Sequence, residues 1–307
     1  MRVFVTGVGG QLGHDVMNEL HKRGHEGIGS DIAPQYSGAQ DGSAVTAMPY
    51  VPLDITDAAA VSRVLREVKP DAVVHCAAWT AVDAAEDMEN QSRVHAINAE
   101  GTANIAEVCK ELDCKMVYIS TDYVFNGQGE TPWQPDCKDY APLNFYGQTK
   151  LEGELAVSSR LEKYFIVRIA WVFGKNGKNF IKTMLKLGET HDTLRVVNDQ
   201  IGTPTYTLDL SRLLVDMIET ERYGYYHATN EGGYISWYDF ARAIFKAAGM
   251  NVNVLPVTTA EYGESKAKRP FNSRLDKSKL TDSGFQPLPD WQDALERYME
   301  NECEGNR

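Results

Sequence analysis

Strand-like apolar runs alternate with longer amphipathic segments along the first half of the chain. The runs at 1–6, 26–30, 71–75 and 116–119 are short, as buried parallel strands are. The segments between them have the periodicity of helices. This alternation predicts an α/β fold with a Rossmann-type, doubly wound parallel sheet that helices cover on both faces.

The remaining elements follow from the same reading. The pattern predicts a loop at 33–52, a strand at 165–172, helices at 179–187, 208–221 and 236–248, and a terminal helix at 290–303. We therefore divide the chain into a doubly wound domain at 1–173 and a smaller lobe at 174–307. Some segments of the smaller lobe are expected to return to the first domain.

A glycine-rich loop follows the first strand. The spacing of Gly7, Gly10 and Gly13 lets the backbone turn tightly, approach a pyrophosphate and pack the next helix on the strand. That helix also directs its free N–H groups at the phosphates. Glycines that serve only a turn are the alternative. The position between a strand and a helix favours a dinucleotide site, which would include Gln11 and Leu12.

Asp31 ends the second predicted strand, roughly twenty residues after the glycines. A carboxylate at this place binds the ribose hydroxyls of the adenosine and repels a 2′-phosphate. We therefore expect NADH or NADPH as the cofactor, with NADH favoured. The alternative is a solvated loop residue.

Further cofactor contacts are expected in the loops after the next strands. The candidates are Asp54, Ile55, Ala77, Ala78, Thr80 and Asn98. Asp54 is placed to contact the adenine amino group, with a turn or cap role as its alternative. Small residues at 76–78 suit a backbone that passes under a cofactor. Asn98 lies in a helix predicted at 93–112, where its amide needs a partner, either a backbone group or a water that relays protons.

The candidate chemistry lies between residues 120 and 150. Thr121 follows the predicted strand at 116–119, and Tyr146 and Lys150 are one helical turn apart on one face. Tyrosine has an ordinary pKa of about 10, and a neighbouring cation would lower it. Thr121 and Tyr146 would then hold and protonate the oxygen of a ketone that receives hydride. A Tyr-x-x-x-Lys spacing also arises by chance, so the glycine loop is what favours catalysis.

Composition excludes several other functions. The 307-residue chain has a formal net charge of −12, which argues against nucleic acid or an anionic membrane as its partner. No apolar run is long enough to span a bilayer, and the chain enters a strand without a signal sequence. Its five cysteines lack metal-site or disulfide spacing. We expect a cytoplasmic protein with reduced thiols.

These motifs, taken in order, resemble the extended short-chain dehydrogenase/reductase family, and within it the dTDP-4-dehydrorhamnose reductases. The resemblance covers nearly the whole chain. The stretches that carry it are TGxxGQLG at 6–13, AAWTAVDxAE at 77–86, STDYVF at 120–125, YGxTK at 146–150, RxxWVFG at 168–174, DQxGxPT at 199–205 and RPxNS at 269–273. Each stretch is unspecific alone, and together they are highly specific.

The resemblance implies hydride transfer from a reduced nicotinamide to the C4 ketone of dTDP-4-dehydro-β-L-rhamnose, the last step of dTDP-rhamnose synthesis. By this analogy Tyr146 donates the proton, Lys150 lowers the pKa of Tyr146 and holds the nicotinamide ribose, and Thr121 hydrogen-bonds the keto oxygen. Residues 1–173 would bind the cofactor and 174–307 mainly the dTDP-sugar. The substrate contacts expected are Val82, Asp83, Thr121, Asp122, Tyr123, Trp171, Gln200 and Arg269, the last near the phosphates.

One departure and two alternatives accompany the resemblance. Some relatives bind Mg²⁺ at a dimer interface through glutamates, and Asp15 holds one of those positions here. We therefore expect no obligatory metal, and either a monomer or a homodimer. One alternative function is a 4-epimerase or 4,6-dehydratase, although Asp122-Tyr123 replaces the Asp-Glu pair common in dehydratases. The other is a non-catalytic regulatory subunit, like the eukaryotic relative that serves methionine adenosyltransferase.

Overall fold

The protein is described by a computed structural model that covers residues 1–263 and 265–305, with side chains described as far as residue 301. The strands in these residues are β1 (Arg2–Thr6), β2 (Glu26–Asp31), β3 (Tyr50–Pro52), β4 (Ala72–His75), β5 (Lys115–Thr121), β6 (Tyr164–Ile169), β7 (Val172–Phe173), β8 (Thr193–Val197), β9 (Ile201–Gly202), β10 (Thr205–Tyr206), β11 (Gly224–His227), β12 (Ile235–Ser236) and β13 (Asn253–Val257).

The helices connect these strands and cover the sheet. They are α1 (Gln11–Lys22), α2 (Ala58–Val68), α3 (Met88–His95), α4 (Gly101–Leu112), α5 (Phe145–Ser158), α6 (Phe180–Gly188), α7 (Thr207–Ile218), α8 (Trp237–Ala247), α9 (Thr259–Tyr262), α10 (Ser278–Asp282) and α11 (Trp291–Gly305). None of the described helices is long and apolar enough to cross a membrane.

The central sheet has the strand order β11-β6-β5-β4-β1-β2-β3, and every neighbouring pair is parallel. This confirms the predicted doubly wound fold. The chain leaves β1 towards one edge and returns at β4 towards the other. A crevice therefore opens at the carboxyl ends of β1 and β4, which is where sheets of this kind bind ligands.

Side-chain alternation along β1 builds a separate core on each face of the sheet. Val3 and Val5 point to the face that α1 and α7 cover, whereas Phe4 points to the face of α2, α4 and α5. All three side chains are completely buried. Full burial of such a side chain contributes about 1.5–3 kcal/mol, so both faces hold the helices firmly.

The second half of the chain contributes to both parts of the molecule. The short β8 and β13 pair in parallel, and α6, α8 and α11 pack around a core that contains Phe173, Phe240 and Trp291. Beyond residue 173, however, α7 packs against α1 and β11 joins the sheet beside β6. The segment from α7 to β11 therefore completes the doubly wound sheet.

Three predicted elements differ in the structure. The predicted loop at 33–52 ends in β3, which pairs with β2 although its sequence is short and carries a proline. The strand predicted at 165–172 is interrupted, because Trp171 has a left-handed φ of 52° that ends the pairing after Ile169. The helix predicted at 93–112 contains a wider π turn at 96–100.

Candidate active site

A cavity of about 610 Å³ lies at the carboxyl ends of the central strands. It runs from the glycine loop after β1 to the start of α5. Most of the residues predicted for the site line it: Gly7, Gly10, Gln11, Leu12, Gly13, Asp31, Asp54, Ile55, Ala77, Ala78, Thr80, Val82, Thr121, Asp122, Tyr123, Tyr146, Lys150 and Trp171. The cavity thus joins the dinucleotide motif to the candidate catalytic residues.

The glycine loop is packed too tightly for any side chain at its two ends. Gly7 has a φ of 71°, and a Cβ atom there would lie 2.7 Å from the backbone nitrogen of Ala77. A Cβ atom on Gly13 would collide with the carbonyl oxygen of Gly7. Helix α1 begins at Gln11, within this glycine motif, with neither a side-chain cap nor an acidic residue in its first turn. Its free N–H groups suit an anionic pyrophosphate.

The carboxylates of Asp31 and Asp54 border the adenosine end of the cavity. Asp31 accepts hydrogen bonds from the backbone nitrogens of Gly9 (3.0 Å) and Ile32 (2.8 Å). Asp54 accepts from both the backbone nitrogen and the hydroxyl of Thr56. Asp54 therefore forms the turn considered as its alternative role and also lines the cavity, and its contact with adenine stays a prediction.

Helix α5 is fixed where Tyr146 meets Thr121. Asn144 caps the helix by accepting from the backbone nitrogen of Gly147 at 2.8 Å. A side chain at Gly147 would collide with the carbonyl oxygen of Tyr123, so the helix start lies directly on the turn after β5. This close packing puts the Tyr146 hydroxyl within hydrogen-bonding reach of Thr121.

Burial dominates the electrostatics of Tyr146 and Lys150. Burial raises the pKa of Tyr146 above its usual value, the charge of Asp122 raises it further, and the hydrogen bond with Thr121 opposes both. Burial also lowers the pKa of Lys150 to about 7, against the opposing charge of Glu154. The direction for Tyr146 is opposite to the one expected, because the desolvation of the phenolate outweighs the hydrogen bond that lowers the pKa.

The carboxylate of Asp122 continues the hydrogen-bonded chain behind Thr121. It accepts from the Thr121 hydroxyl at 3.0 Å and from the Ser273 hydroxyl at 2.5 Å. Burial raises the pKa of Asp122 to about 6. The Thr121 oxygen also accepts from the backbone nitrogen of Tyr123 at 3.2 Å. Because the Thr121 proton points to Asp122, the hydroxyl must rotate to donate to a ligand.

Asn98 supports the cavity from behind instead of lining it. Its side-chain oxygen accepts from the backbone nitrogen of Trp79 at 2.8 Å, and its nitrogen donates to the carbonyl of Trp79 and the hydroxyl of Thr149. Asn98 does not line the cavity, and the cofactor contact expected for it stays a prediction. The partner is a backbone group, one of the two options considered, and the π turn around Asn98 aims the amide at it.

Three predicted substrate residues, Asp83, Gln200 and Arg269, lie outside the cavity lining. Arg269 forms a two-pronged ion pair with Asp83, with distances of 2.6 and 3.2 Å. Gln200 is buried and donates to the hydroxyl of Thr259 at 3.0 Å. Trp171 does line the cavity, and its ring stacks on Trp237 with 3.7 Å between the ring centres.

Two cations that the sequence reading missed also line the cavity. Arg93 lies over the ring of Trp79, with 5.7 Å from the guanidinium carbon to the ring centre. Lys178 lies in a polar turn between β7 and α6, beside the glycine loop. Neither residue belongs to a recognised motif, and the sequence does not reveal which distant segments face the cavity. For this reason both were missed.

Asp15 lies in a second, polar cavity of about 310 Å³ together with His14, Asp41 and Lys175. Its carboxylate accepts from the Thr207 hydroxyl at 2.5 Å, and burial raises the pKa of Asp15 to about 7. No group of three or more histidine, cysteine or acidic side chains suited to a metal occurs among the described residues. The expectation of no obligatory metal stays a prediction.

The fold, the glycine loop and the Thr121, Tyr146 and Lys150 cluster define a dinucleotide-binding protein of the short-chain dehydrogenase/reductase type. The chain belongs to the RmlD substrate binding domain family, whose sequence model matches residues 1–303. This membership confirms the family resemblance expected from the motifs.

Individual relatives agree with this assignment. The chain is 38% identical over 300 residues to a dTDP-4-dehydrorhamnose reductase of Streptomyces griseus, covering 96% of this chain and 91% of that protein. It is 40% identical to a dTDP-4-dehydrorhamnose reductase from Clostridium acetobutylicum of known structure, with a TM-score of 0.88 and coverage of 99% and 100%. The Bacillus anthracis reductase, solved in complex with NADP, is 39% identical, with a TM-score of 0.85 and coverage of 98% and 99%.

Proposed function

We propose that the protein reduces the C4 ketone of dTDP-4-dehydro-β-L-rhamnose to dTDP-β-L-rhamnose with NADH or NADPH. The observation that carries this proposal is one cavity in which the glycine loop, the Thr121–Tyr146 hydrogen bond and Lys150 come together. The names of the relatives supply the sugar, which the side chains alone do not specify.

The residues that would hold the cofactor fit its shape and charge. The uncapped start of α1 and the bare backbone of Gly7 and Gly13 would receive the pyrophosphate. Asp31 would bind the adenosine ribose, and Lys150 would hold the nicotinamide ribose. A reduced nicotinamide bound there supplies a hydride to a carbonyl carbon.

Thr121 and Tyr146 would act on the carbonyl oxygen. Both hydroxyls donate to it and stabilise the negative charge that develops as the carbon is reduced. Tyr146 then gives up its proton to the alkoxide. Its raised pKa keeps the phenol protonated until that moment, which is the state that a general acid requires.

Lys150 would stabilise the phenolate left after proton donation. Its amine lies 4.1 Å from the centre of the Tyr118 ring, within the same buried layer. A pKa of about 7 lets Lys150 take up a proton near neutral pH. The protonated amine favours the phenolate electrostatically, so Lys150 would act on the second half of the proton transfer.

The sugar nucleotide would enter between Trp171 and the Asp83–Arg269 ion pair. Trp171 offers a flat apolar surface to a sugar ring, and its left-handed backbone holds the ring against Trp237. Arg269 offers a planar cation to the diphosphate. In this proposal the substrate replaces Asp83 as a partner of Arg269.

The test is consumption of reduced nicotinamide with dTDP-4-dehydrorhamnose, generated in place by the upstream enzymes. It is run with NADH and NADPH in parallel, and the product is identified by mass. The proposal predicts cofactor-dependent formation of dTDP-rhamnose. A folded protein that binds either cofactor but leaves it unconsumed would overturn the proposal. Purification with tightly held NAD would favour an epimerase instead.

A further inference from the structure

The loop at 174–179, which we call the clasp loop, lies across the glycine loop. It connects β7 to α6. A Cβ atom on Gly174 would lie 3.1 Å from the Cβ atom of Gln11. A Cβ atom on Gly177 would lie 4.0 Å from the Cγ atom of Gln11. The clasp loop therefore covers the start of α1 closely enough to share its ligand.

Several hydrogen bonds hold the clasp loop in place. The side chain of Asn176 is buried, accepts from the backbone nitrogen of Ala39 at 2.9 Å and donates to the carbonyl of Gly10 at 3.4 Å. Asn179, also buried, caps α6 and donates to the side-chain oxygen of Gln11 at 3.1 Å. Two buried amides thus tie the clasp loop to both ends of the glycine-loop turn.

The clasp loop brings one cation to the cofactor cavity. Lys178 is exposed and lines the cavity together with Gly177. The other described cations in the lining are Arg93 and Lys150. Lys150 is buried beside the catalytic hydroxyls, and Arg93 lies over Trp79. Lys178 is therefore the lining cation on the glycine-loop side of the cavity.

The neighbouring Lys175 does not compete for this role. Its amine lies 2.5 Å from the carboxylate of Asp41 and faces the second cavity, which contains Asp15. The two lysines of the clasp loop thus point to different cavities. The first turn of α1 holds no carboxylate that would neutralise Lys178 at the cofactor side.

We propose that Lys178 binds the pyrophosphate of the dinucleotide, and that the clasp loop holds this cation above the uncapped start of α1. The inference rests on the proposed function only in the class of cofactor. The pyrophosphate is held from below by backbone N–H groups and from above by the ammonium group, and each adds to the affinity. The anion-binding site is thereby completed by a segment far along the chain from the glycine motif.

The test is direct binding of reduced dinucleotide, followed by its fluorescence, without any sugar substrate. Lys178→Ala should lower the affinity for NADPH and for NADH roughly five- to tenfold, the scale of one charge-assisted contact in a partly exposed site. Lys178→Glu should weaken both more strongly. Because Lys178 is exposed, both variants should fold, which their unfolding temperatures check. Lys186→Ala, which removes an exposed lysine of α6 in the same lobe, is the matched control and should bind like the wild type.

Competition separates the pyrophosphate from the rest of the cofactor. In Lys178→Ala the affinity for ADP, measured by competition, should fall, and the affinity for adenosine should stay the same. Dinucleotide binding by this variant should also depend less on salt concentration than dinucleotide binding by the wild type. Equal dinucleotide affinity in wild type and Lys178→Ala would overturn the inference. Normal binding with the expected Lys178 effect, but no sugar reduction, would overturn the proposed substrate and leave Lys178 assigned. A wild type that binds no dinucleotide would overturn both.

Discussion

Arg269 donates to the Asp83 carboxylate over 2.6 Å, so two residues that were each expected to contact the substrate contact each other. The hydrogen bond from Arg269 lowers the pKa of Asp83, so the carboxylate stays ionised and holds the guanidinium. The pair is partly exposed, which limits its strength. A diphosphate can therefore replace Asp83 as the partner of Arg269 at small cost.

This relationship predicts separate effects on substrate and cofactor. Arg269→Ala should raise the KM for the dTDP-sugar about tenfold or more, the effect of losing a charge-assisted contact with phosphate. The dissociation constant of NADPH should stay unchanged, because Arg269 does not line the cofactor cavity. Steady-state kinetics and cofactor titration measure the two quantities. Arg242→Ala, an exposed arginine on α8, is the control, and an equal rise in KM there would remove Arg269 from the substrate site.

Tyr146→Phe should lower turnover about 10²-fold or more, the effect of losing a general acid. Phenylalanine keeps the ring and its contact with Tyr123, whose ring centre lies 5.6 Å away, so cofactor affinity should survive. Single-turnover rates and a fluorescence titration check the two expectations. Turnover close to that of the wild type would show that another group donates the proton.

Asp31→Asn should raise the ratio of NADPH use to NADH use. The change removes the charge that would repel a 2′-phosphate, while the amide oxygen can still accept from the backbone nitrogen of Gly9. Roughly tenfold is expected, equivalent to about 1.4 kcal/mol. The ratio of kcat/KM for the two cofactors is the measurement. An unchanged ratio would assign Asp31 to holding the glycine loop alone.

Breaking the buried ion pair of Arg168 and Glu154 should lower the stability of the protein more than breaking an exposed ion pair. Both side chains are completely buried and share two hydrogen bonds of 2.8 Å. Glu154→Gln removes one charge and leaves a buried guanidinium without its counter-ion, which should lower the free energy of unfolding by about 3 kcal/mol. Urea unfolding measures this. Glu111→Gln breaks the exposed pair with Arg66 and should change little, so similar losses in both variants would contradict the account.

Asp15 should make the stability of the protein depend on pH. Burial raises its pKa from 3.8 to about 7, so the folded state binds the proton more tightly than the unfolded state. The resulting stability is complete below about pH 4 and is lost as the pH rises through 7. Asparagine at position 15 carries no charge. At pH 8 the free energy of unfolding of Asp15→Asn should therefore exceed that of the wild type by up to about 4 kcal/mol.

Urea unfolding at pH 5 and pH 8, with chelator and with Mg²⁺, tests this. The expectation of no obligatory metal predicts the same stability in both buffers. A wild type that gains stability in Mg²⁺, and an Asp15→Asn variant that does not, would show that Asp15 holds the metal.

The order of strands and helices could be predicted because short segments of sequence determine each of them. Each apolar run is long enough for a strand, and the glycine loop marks where β1 meets α1. The close packing at Gly7 and Gly13 gives the spacing its physical meaning. The same local logic placed Tyr146 and Lys150 on one face of α5.

The remaining features depend on contacts between distant segments. β11 joins the sheet through β6, and the pairing of Arg269 with Asp83 spans 186 positions. The backbone of Trp171 is left-handed and its ring stacks on Trp237, and no local pattern in the sequence indicates either feature. The pKa of Tyr146 was predicted in the wrong direction because its main cause is burial, which a sequence does not show.

The most direct test of the central claim follows a deuterium atom. NADPH or NADH labelled at the transferring position of the nicotinamide is supplied with dTDP-4-dehydrorhamnose, and the product is analysed by mass and by NMR. The account predicts one deuterium per molecule, located at C4 of dTDP-rhamnose, at a rate that Tyr146→Phe lowers about 10²-fold or more. Deuterium at another carbon, or unlabelled product, would contradict the claim that this cavity delivers hydride to the C4 ketone.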